Sequence, residues 1–495
     1  MNKILDDSTG QRFSSRFGLI LSALGVAVGT GNIWRFPRIA AQSGGEKGAG
    51  AFLIAWLCFL FLWSIPLIIA EYASGRKHRS GVIGVFVKSM GRRFTWIGSF
   101  VAFVPLAITF FYTVVVGWCI YYFVYMAFHP LPDNFESAMS IWNTYQASMW
   151  PLLTHAAAIL FGALAIWRGI NSIEKVNKIL IPSLLVIVII SVIRAVTLPG
   201  AGEGLAYLFT PDLKQLGNPK TWLDALTQNA WDTGAGWGLF LTFAAYMKKE
   251  HGAVGNAFLT GIGNNTVSLL AGIMVFGTVF AILKHEMGMS DPQVLEIMKT
   301  SGPASTGLTF IWMPQLFDKM FGGGLLSVLF FLGLTFAGFS SLIAQLELPT
   351  RVLVDTGLKR NRAIVVIVIL VFLFGIPSAR NLNFLSNQDF VWGVALMISG
   401  AMIAAMIIKQ GVIDIRSEIN SVAEDRKLGK WWVYIITWFI PVASVTLLIW
   451  WLAQSFVPGE WFNPFRQFSF MSCIFQWSIV LLLLIIFNRR IAKLF

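Results

Sequence analysis

Two short stretches concentrate the polar chemistry of an otherwise apolar chain. "GVAVGTGNIWRFP", Gly25 to Pro37, sets glycines, Asn32, Arg35 and Pro37 inside the first long apolar segment. "LTQNAWDTGAGWGLF", Leu226 to Phe240, sets Asp232 and a glycine-rich run near the middle of the sixth. Inside a bilayer each unsatisfied backbone group is costly, and irregular backbone survives only around a cavity. A helix interrupted at mid-membrane frees carbonyls on one half and amides on the other, which suits a cation beside a carboxylate. The competing reading makes Gly25 and Gly29 a small-residue packing face on a straight helix. That reading leaves Asn32 and the second, acid-bearing break without a reason.

The elements that position these residues follow from composition. Of 495 residues 56% are hydrophobic, with 42 Phe and 20 Trp, and the mean hydropathy is +0.70, which makes lipid the main solvent. Runs near the ~20 residues that cross a ~30 Å hydrocarbon core number about twelve. They are Phe17 to Ala41, Ala51 to Ser74, Trp96 to Phe128, Pro151 to Trp167, Val176 to Val196 and Trp222 to Met247. Ala253 to Leu283, Leu325 to Val354, Ala363 to Ile376, Phe390 to Ile408, Trp432 to Phe456 and Phe470 to Phe487 complete the set. The breaks fall in segments one and six, the same place in two successive five-helix blocks, which is the mark of an inverted repeat. The expected fold is therefore an all-α integral membrane protein, one transmembrane domain over 1–495. Residues 17–197 and 221–409 are its two inverted five-helix repeats, with helices 1 and 6 broken, and 430–488 carry two further helices.

Lys and Arg mark cytoplasmic connections. They gather in "GRKHRS", "KSMGRR", "EKVNK", "KKEHG", "DTGLKRNR" and "EDRKLGKWW", while "HPLPDNFESAMSIWNTYQ" has none, so both termini are expected in the cytoplasm. The net charge of +13 then reflects topology and anionic lipid, with no nucleic-acid partner implied. The polar start "MNKILDDSTGQRFSSR" lacks the pattern of a cleaved signal peptide, and the first helix serves as the insertion signal. Cys58, Cys119 and Cys473 lie in apolar segments and suggest no disulfide framework. Lys284 to Gly324 has room for a short helical hairpin only, and none of the five His sits in a metal-hydrolase pattern, so an enzyme is not expected.

"GLILSALGVAVGTGNIWRFP" is followed in order by "GGEKGAGAFLIAW", "IPLIIAEYASGR", "YLFTPDLKQL", "AGFSSLIAQLE" and "SNQDFVW". This set, spread over nearly the whole chain, resembles the neurotransmitter:sodium symporter family, in particular its bacterial members of the leucine-transporter type. The resemblance implies sodium-coupled symport of an amino-acid-like solute by alternating access, using one or two Na+ ions. The family's first sodium site falls on the carbonyl of Ala27, the side chains of Asn32 and Asn264, and position Asp232. Its second falls on the carbonyls of Gly25, Val28 and Ala337 with the hydroxyls of Ser340 and Ser341. These are hard oxygen ligands, as a hard cation requires. Taken singly, the serines could back-bond to carbonyls one turn earlier, and Asn264 could make a plain interhelical hydrogen bond.

The substrate site implied by the resemblance lies between the breaks, at Ala27 and Gly29 to Gly31, with Tyr112 also holding the carboxylate and Trp231 as the lid. Gly29 resembles the amino-acid carriers, because monoamine carriers have an acid there. Thr30, Ile108, Gly234, Trp237 and Gln345 form the walls, and Trp237 with Gln345 argue against a plain leucine-sized slot. The tryptophans could equally be core filling. Arg35 with Asp389 looks like the outer gate, although both could be interfacial anchors. Tyr246 and Asp355 match the inner gate, for which Arg12 is the expected partner, followed here by Phe13 where relatives have Trp.

Asp232 departs from the family, which normally has Ser or Thr at this position. Chloride-dependent relatives bind an anion in this region, where this sequence has Trp56, Gln228, Asp232 and Ser268. A carboxylate ~4 Å from a cation is worth about 4 kcal/mol at an effective dielectric of ~20, enough to offset part of its burial cost. Asp232, with Gln228 and Ser268, is therefore expected to supply the counter-charge and to remove the need for chloride. Two rivals stay open: Asp232 could hold a cationic or amine substrate between Trp231 and Trp237, or cap the second half of helix six. An amino-acid sensor or a leak channel of the same fold is the rival class, though the short C-terminus "NRRIAKLF" leaves no room for an output domain. The bacterial resemblance suggests the inner membrane, with the protein a monomer or weak homodimer among membrane lipid.

Overall fold

Lipid offers backbone amides and carbonyls no partner, so the chain satisfies them within helices. The computed structural model describes residues 11–299, 306–423, 425–456 and 459–495. The first ten residues of the polar start, part of the Lys284 to Gly324 connection and Glu424 of "EDRKLGKWW" lie outside the described residues. Eight described helices are long and apolar enough to cross a membrane, and ten if two bent pairs each count as one span. One bent pair is the first span itself, Arg16–Ala27 and Thr30–Ser43, meeting at 48°. The other joins an outer helix, Phe135–Ala147, to the fourth span, Trp150–Ile166. The shorter twelfth span, Phe470–Ile486, and the broken sixth, Pro219–Asp232 and Leu239–Ala244, complete the set expected from hydropathy.

The remaining spans are the second (Gly50–His78), third (Arg92–Phe128), fifth (Ile170–Val196), seventh (Ala253–Glu286), eighth (Gly323–Asp355), ninth (Arg360–Arg380), tenth (Leu382–Gln410) and eleventh (Trp431–Gln454). Several exceed their apolar runs, because hydropathy stops at the first polar turn while the helix does not. The tenth begins at Leu382 because the Asn381 side chain accepts from the amides of Asn383 and Phe384, which makes "SNQDF" helical. The fifth begins at Ile170, and its polar first turns include a Glu174–Lys178 pair at 2.8 Å. The ninth, the shortest apolar run, is a 21-residue helix.

The third and eighth spans pack on each other most extensively and form the core wall opposite the two breaks. Lipid-facing residues such as Ile179, Leu164, Phe374 and Ile449 are exposed, as a bilayer solvent allows. The eleventh span is pinned to the second by Trp432, fully buried, whose Nε1 donates to the Pro66 carbonyl at 3.0 Å. The twelfth is pinned to the tenth by Trp477, which donates to Val391 at 3.1 Å. Trp432→Ala should open a cavity costing about 3–5 kcal/mol. The measurement is a marked fall in the apparent melting temperature of the detergent-purified protein; an unchanged value would mean that the eleventh span does not depend on this contact.

Candidate functional site

The first break begins where Val28 leaves the helix, its amide donating to Leu24 at 2.7 Å before the chain turns extended through Gly29. Asn32 starts the second half: its Oδ1 accepts from the Gly29 amide at 2.7 Å. That bond fixes which way the Asn32 amide faces, and its Nδ2 donates to Asn264 Oδ1 and to Ser268 Oγ, each at 2.8 Å. The Asn264 atom met by this N–H must be oxygen, since a nitrogen there would set donor against donor. The same atom lies 3.2 Å from the Ala27 carbonyl oxygen and 3.3 Å from that of Asp232. Three oxygens thus face one another with no proton between them, an arrangement that a hard cation resolves.

A second oxygen cluster joins the first span to the eighth. Ser340 Oγ lies 3.0 Å from the Val28 carbonyl and 2.9 Å from that of Ala337, and Ser341 Oγ lies 3.1 Å from Val28. Back-bonding accounts for the Ala337 contact but not for the reach of both serines across to the break. Gly29 is hemmed in here, since a Cβ on it would sit 2.7 Å from Ser341 Oγ and 3.2 Å from Tyr112 Oη. The Tyr112 hydroxyl accepts from the amide and hydroxyl of Thr30 at 3.4 and 3.3 Å, so these groups converge where a carboxylate would be held.

The sixth span breaks after Asp232 and restarts at Leu239. Gly234, Gly236 and Gly238 take φ of +68°, +86° and +80°, a region where side chains are strained. Asp232 Oδ2 accepts from Ser268 Oγ at 2.6 Å, which continues the chain from Asn32, while Oδ1 has no partner. Trp56 Nε1 and both amide atoms of Gln228 are also buried without partners.

Between the breaks is a cavity of about 30 Å³ lined by Gly29, Tyr112, Trp231, Asp232, Trp237 and Gln345 among others. Trp237 is held by a bond from Nε1 to the Ala230 carbonyl at 2.9 Å and meets Trp231 edge to face at 5.6 Å. Thr109 Oγ1 lies 3.3 Å from Gln345 Oε1. Ala27, Gly31 and Gly234 line this cavity as well, Thr30 faces the outer one, and Ile108 is fully buried behind the wall.

The model of the sodium:neurotransmitter symporter family matches residues 10–149 and 139–493. The chain belongs to that family. It is 32% identical over 443 residues to a sodium-dependent transporter of Methanocaldococcus jannaschii, covering 86% of this chain and 87% of the relative. It is 27% identical over 495 residues to the sodium-dependent serotonin transporter of Drosophila melanogaster, covering 90% of this chain and 76% of the relative. The crystal structure of MhsT in complex with L-phenylalanine aligns with a TM-score of 0.76 at 28% identity, covering 89% of this chain and 99% of that one. The protein is thus a sodium-dependent symporter of the leucine-transporter-type fold and not an enzyme.

A cavity and a buried charge network lie on opposite sides of the two breaks. An outer cavity of about 300 Å³ is bordered by Arg35, Arg38, Asp224 and Asp389, and Trp231 and Tyr112 line both it and the central one. Arg35 does not pair with Asp389 as expected: its guanidinium lies 5.0 Å over the Trp231 ring, and both charges border the open cavity. On the inner side the expected Arg12 latch is replaced. Arg351, one turn earlier on the same helix, already holds Asp355 at 2.8 Å and lies 5.1 Å over the Tyr246 ring. Tyr246 donates to Glu347 at 2.6 Å, and Glu347 is also bound by Arg360. Among the described residues Arg12 makes no ion pair; Phe13 is buried instead, its amide donating to the Tyr246 carbonyl at 3.2 Å and its ring lying 6.3 Å from that of Phe243.

Sequence reading missed Glu71, the fully buried acid of "IPLIIAEYASGR", although a lone acid inside an apolar segment is a signal in itself. Its carboxylate accepts from the Gly236 amide at 2.6 Å and the Leu241 amide at 3.2 Å, bridging the second break. Glu71→Ala would leave both amides unpartnered, a cost of about 3 kcal/mol. The variant should melt lower and lose transport, and Glu71→Gln, which keeps one acceptor oxygen, should recover part of both. Equal melting of Ala variant and wild type would show that the break does not lean on Glu71.

Proposed function

We propose that the symporter accumulates an amino-acid-like solute with one or two sodium ions and without chloride. The observation that carries the sodium part is the convergence of Ala27, Asp232 and Asn264 oxygens with no donor between them. The second cluster at Val28, Ala337, Ser340 and Ser341, with the Gly25 carbonyl, would take the second ion. The solute's carboxylate would lie against Tyr112 and the Gly29 to Gly31 amides, its side chain toward Trp237 and Gln345. Asp232, tied to the first cluster through Ser268 and Asn32, would be the counter-charge that replaces an anion. A second reading is favoured by the unpartnered Oδ1 of Asp232, which could receive a substrate amine at the wall of the central cavity.

In this scheme sodium and solute enter from outside, Trp231 and the Arg35 and Asp389 pair close above them, and the repeats 17–197 and 221–409 rock to open inward. The chain would lie in an inner membrane with both termini cytoplasmic, as a monomer or weak homodimer.

Uptake of a labelled amino-acid mixture into proteoliposomes tests the scheme. An inward sodium gradient should drive accumulation, and Asn264→Ala or Ser340→Ala should abolish it. Binding without accumulation under any gradient would favour the sensor and overturn symport. Replacing chloride by gluconate should leave uptake unchanged, whereas Asp232→Asn should lower it at least tenfold or make it depend on chloride. Loss of wild-type uptake on chloride removal would refute the counter-charge role.

A further inference from the structure

A polar seam that the scheme above does not use runs between the first half of the first span and the fifth span. On helix Arg16–Ala27, Gly18, Ser22 and Gly25 recur at i, i+4 and i+7 and so share a face. Glu174 and Asn177 of the fifth span lie against that face. A Cβ on Gly18 would collide with the Glu174 carboxylate, and one on Gly25 would sit 3.0 Å from Asn177 Oδ1 and 3.2 Å from its Nδ2.

The two facing residues differ in how they are satisfied. Glu174 accepts from the Ser14 amide at 2.7 Å and the Ser14 hydroxyl at 2.5 Å, and pairs with Lys178 at 2.8 Å. Asn177 is only 1% exposed, yet neither of its amide atoms has a hydrogen-bond partner. The Ser22 hydroxyl, 0% exposed, has none either. An unsatisfied buried polar group is costly, so such groups mark a place for a partner that the protein does not itself supply.

The nature of that partner follows from what lies alongside. Gly25 is in the last turn of its helix, where carbonyls lose their downstream amides. Val28, the residue that ends that helix, already turns its carbonyl to Ser340 and Ser341. The carboxylate charge of Glu174 is already met one turn away by Lys178, so the free oxygens of the seam, Asn177 Oδ1 and Ser22 Oγ, are neutral. Such ligands suit a monovalent hard cation.

We propose that the side-chain oxygen of Asn177 completes the second sodium site beside Gly25. It is the ligand that the fifth span contributes, next to the seam of Ser22 and Glu174. The assignment rests on the sodium-symport reading, and its test needs no knowledge of the solute. Sodium that binds the folded state raises its melting temperature by mass action. The detergent-purified chain is titrated with sodium chloride against potassium chloride at constant ionic strength, following the apparent melting temperature.

Asn177→Ala should raise the half-saturating sodium concentration about fivefold, equivalent to ~1 kcal/mol. Asn177→Ser, which keeps an oxygen on a smaller side chain, should fall between and also serves if the Ala variant does not fold. Selectivity for sodium over lithium should fall in the same order, a readout that loss of packing alone would leave in place. Half-saturation and selectivity equal to wild type, whatever the melting temperature in potassium, would overturn the role of Asn177 alone. A wild type unmoved by sodium would overturn the sodium reading and this assignment with it.

Discussion

Every backbone group inside a bilayer must find a partner within the protein, and the two interrupted helices of this symporter are where that requirement is hardest to meet. Several of the loose ends are met by specific groups. The Gly29 amide goes to Asn32, the Val28 carbonyl to Ser340 and Ser341, and the Gly236 and Leu241 amides to Glu71. The groups that repair the breaks also shape the cavity between them. Asn32 shows the coupling most directly, because accepting from Gly29 turns its nitrogen toward Asn264 and Ser268 and so fixes the orientation of the first oxygen cluster.

Closure on the two faces is built from different chemistry. On one face Trp231 and Tyr112 stand between the cavities, with Arg35 resting on the Trp231 ring and Asp389 bordering the same cavity. Inside, a buried network links Tyr246, Glu347, Arg360, Arg351 and Asp355, and the Asp355 carboxylate also accepts from the Gly81 amide at 2.5 Å. Buried ion pairs of this kind are costly to break one partner at a time; Arg351 and Asp355 pair within the eighth span, while Arg360 of the ninth reaches Glu347 of the eighth. Because the charges come from the eighth and ninth spans, the N-terminal segment is left to be held by Phe13 and by Glu174 acting on Ser14.

Asp232 is the buried acid of the second break. Its carboxylate joins the Asn32 and Ser268 chain on one oxygen and leaves the other free, beside an outward cavity that carries two arginines. An acid at mid-membrane is costly unless it is paired or hydrogen-bonded, and the bond from Ser268 meets part of that need.

The chain's order of apolar runs, basic loops and two polar interruptions was enough to define the membrane class, the order of the apolar helices and the places where helices one and six break. Those properties are local: a run of about 20 apolar residues or a glycine-rich acid-bearing gap declares itself wherever it folds. Helix ends were less legible, because capping by Asn381 or an ion pair such as Glu174–Lys178 carries a helix past the point where hydropathy fails. Partner choice was not legible at all. Arg351 and Arg12 both carry the charge that Asp355 needs, and only packing decides that the nearer turn supplies it. The same holds for Glu71 and Asn177, whose meaning depends on groups more than a hundred residues away that the tertiary structure brings within hydrogen-bonding distance or van der Waals contact.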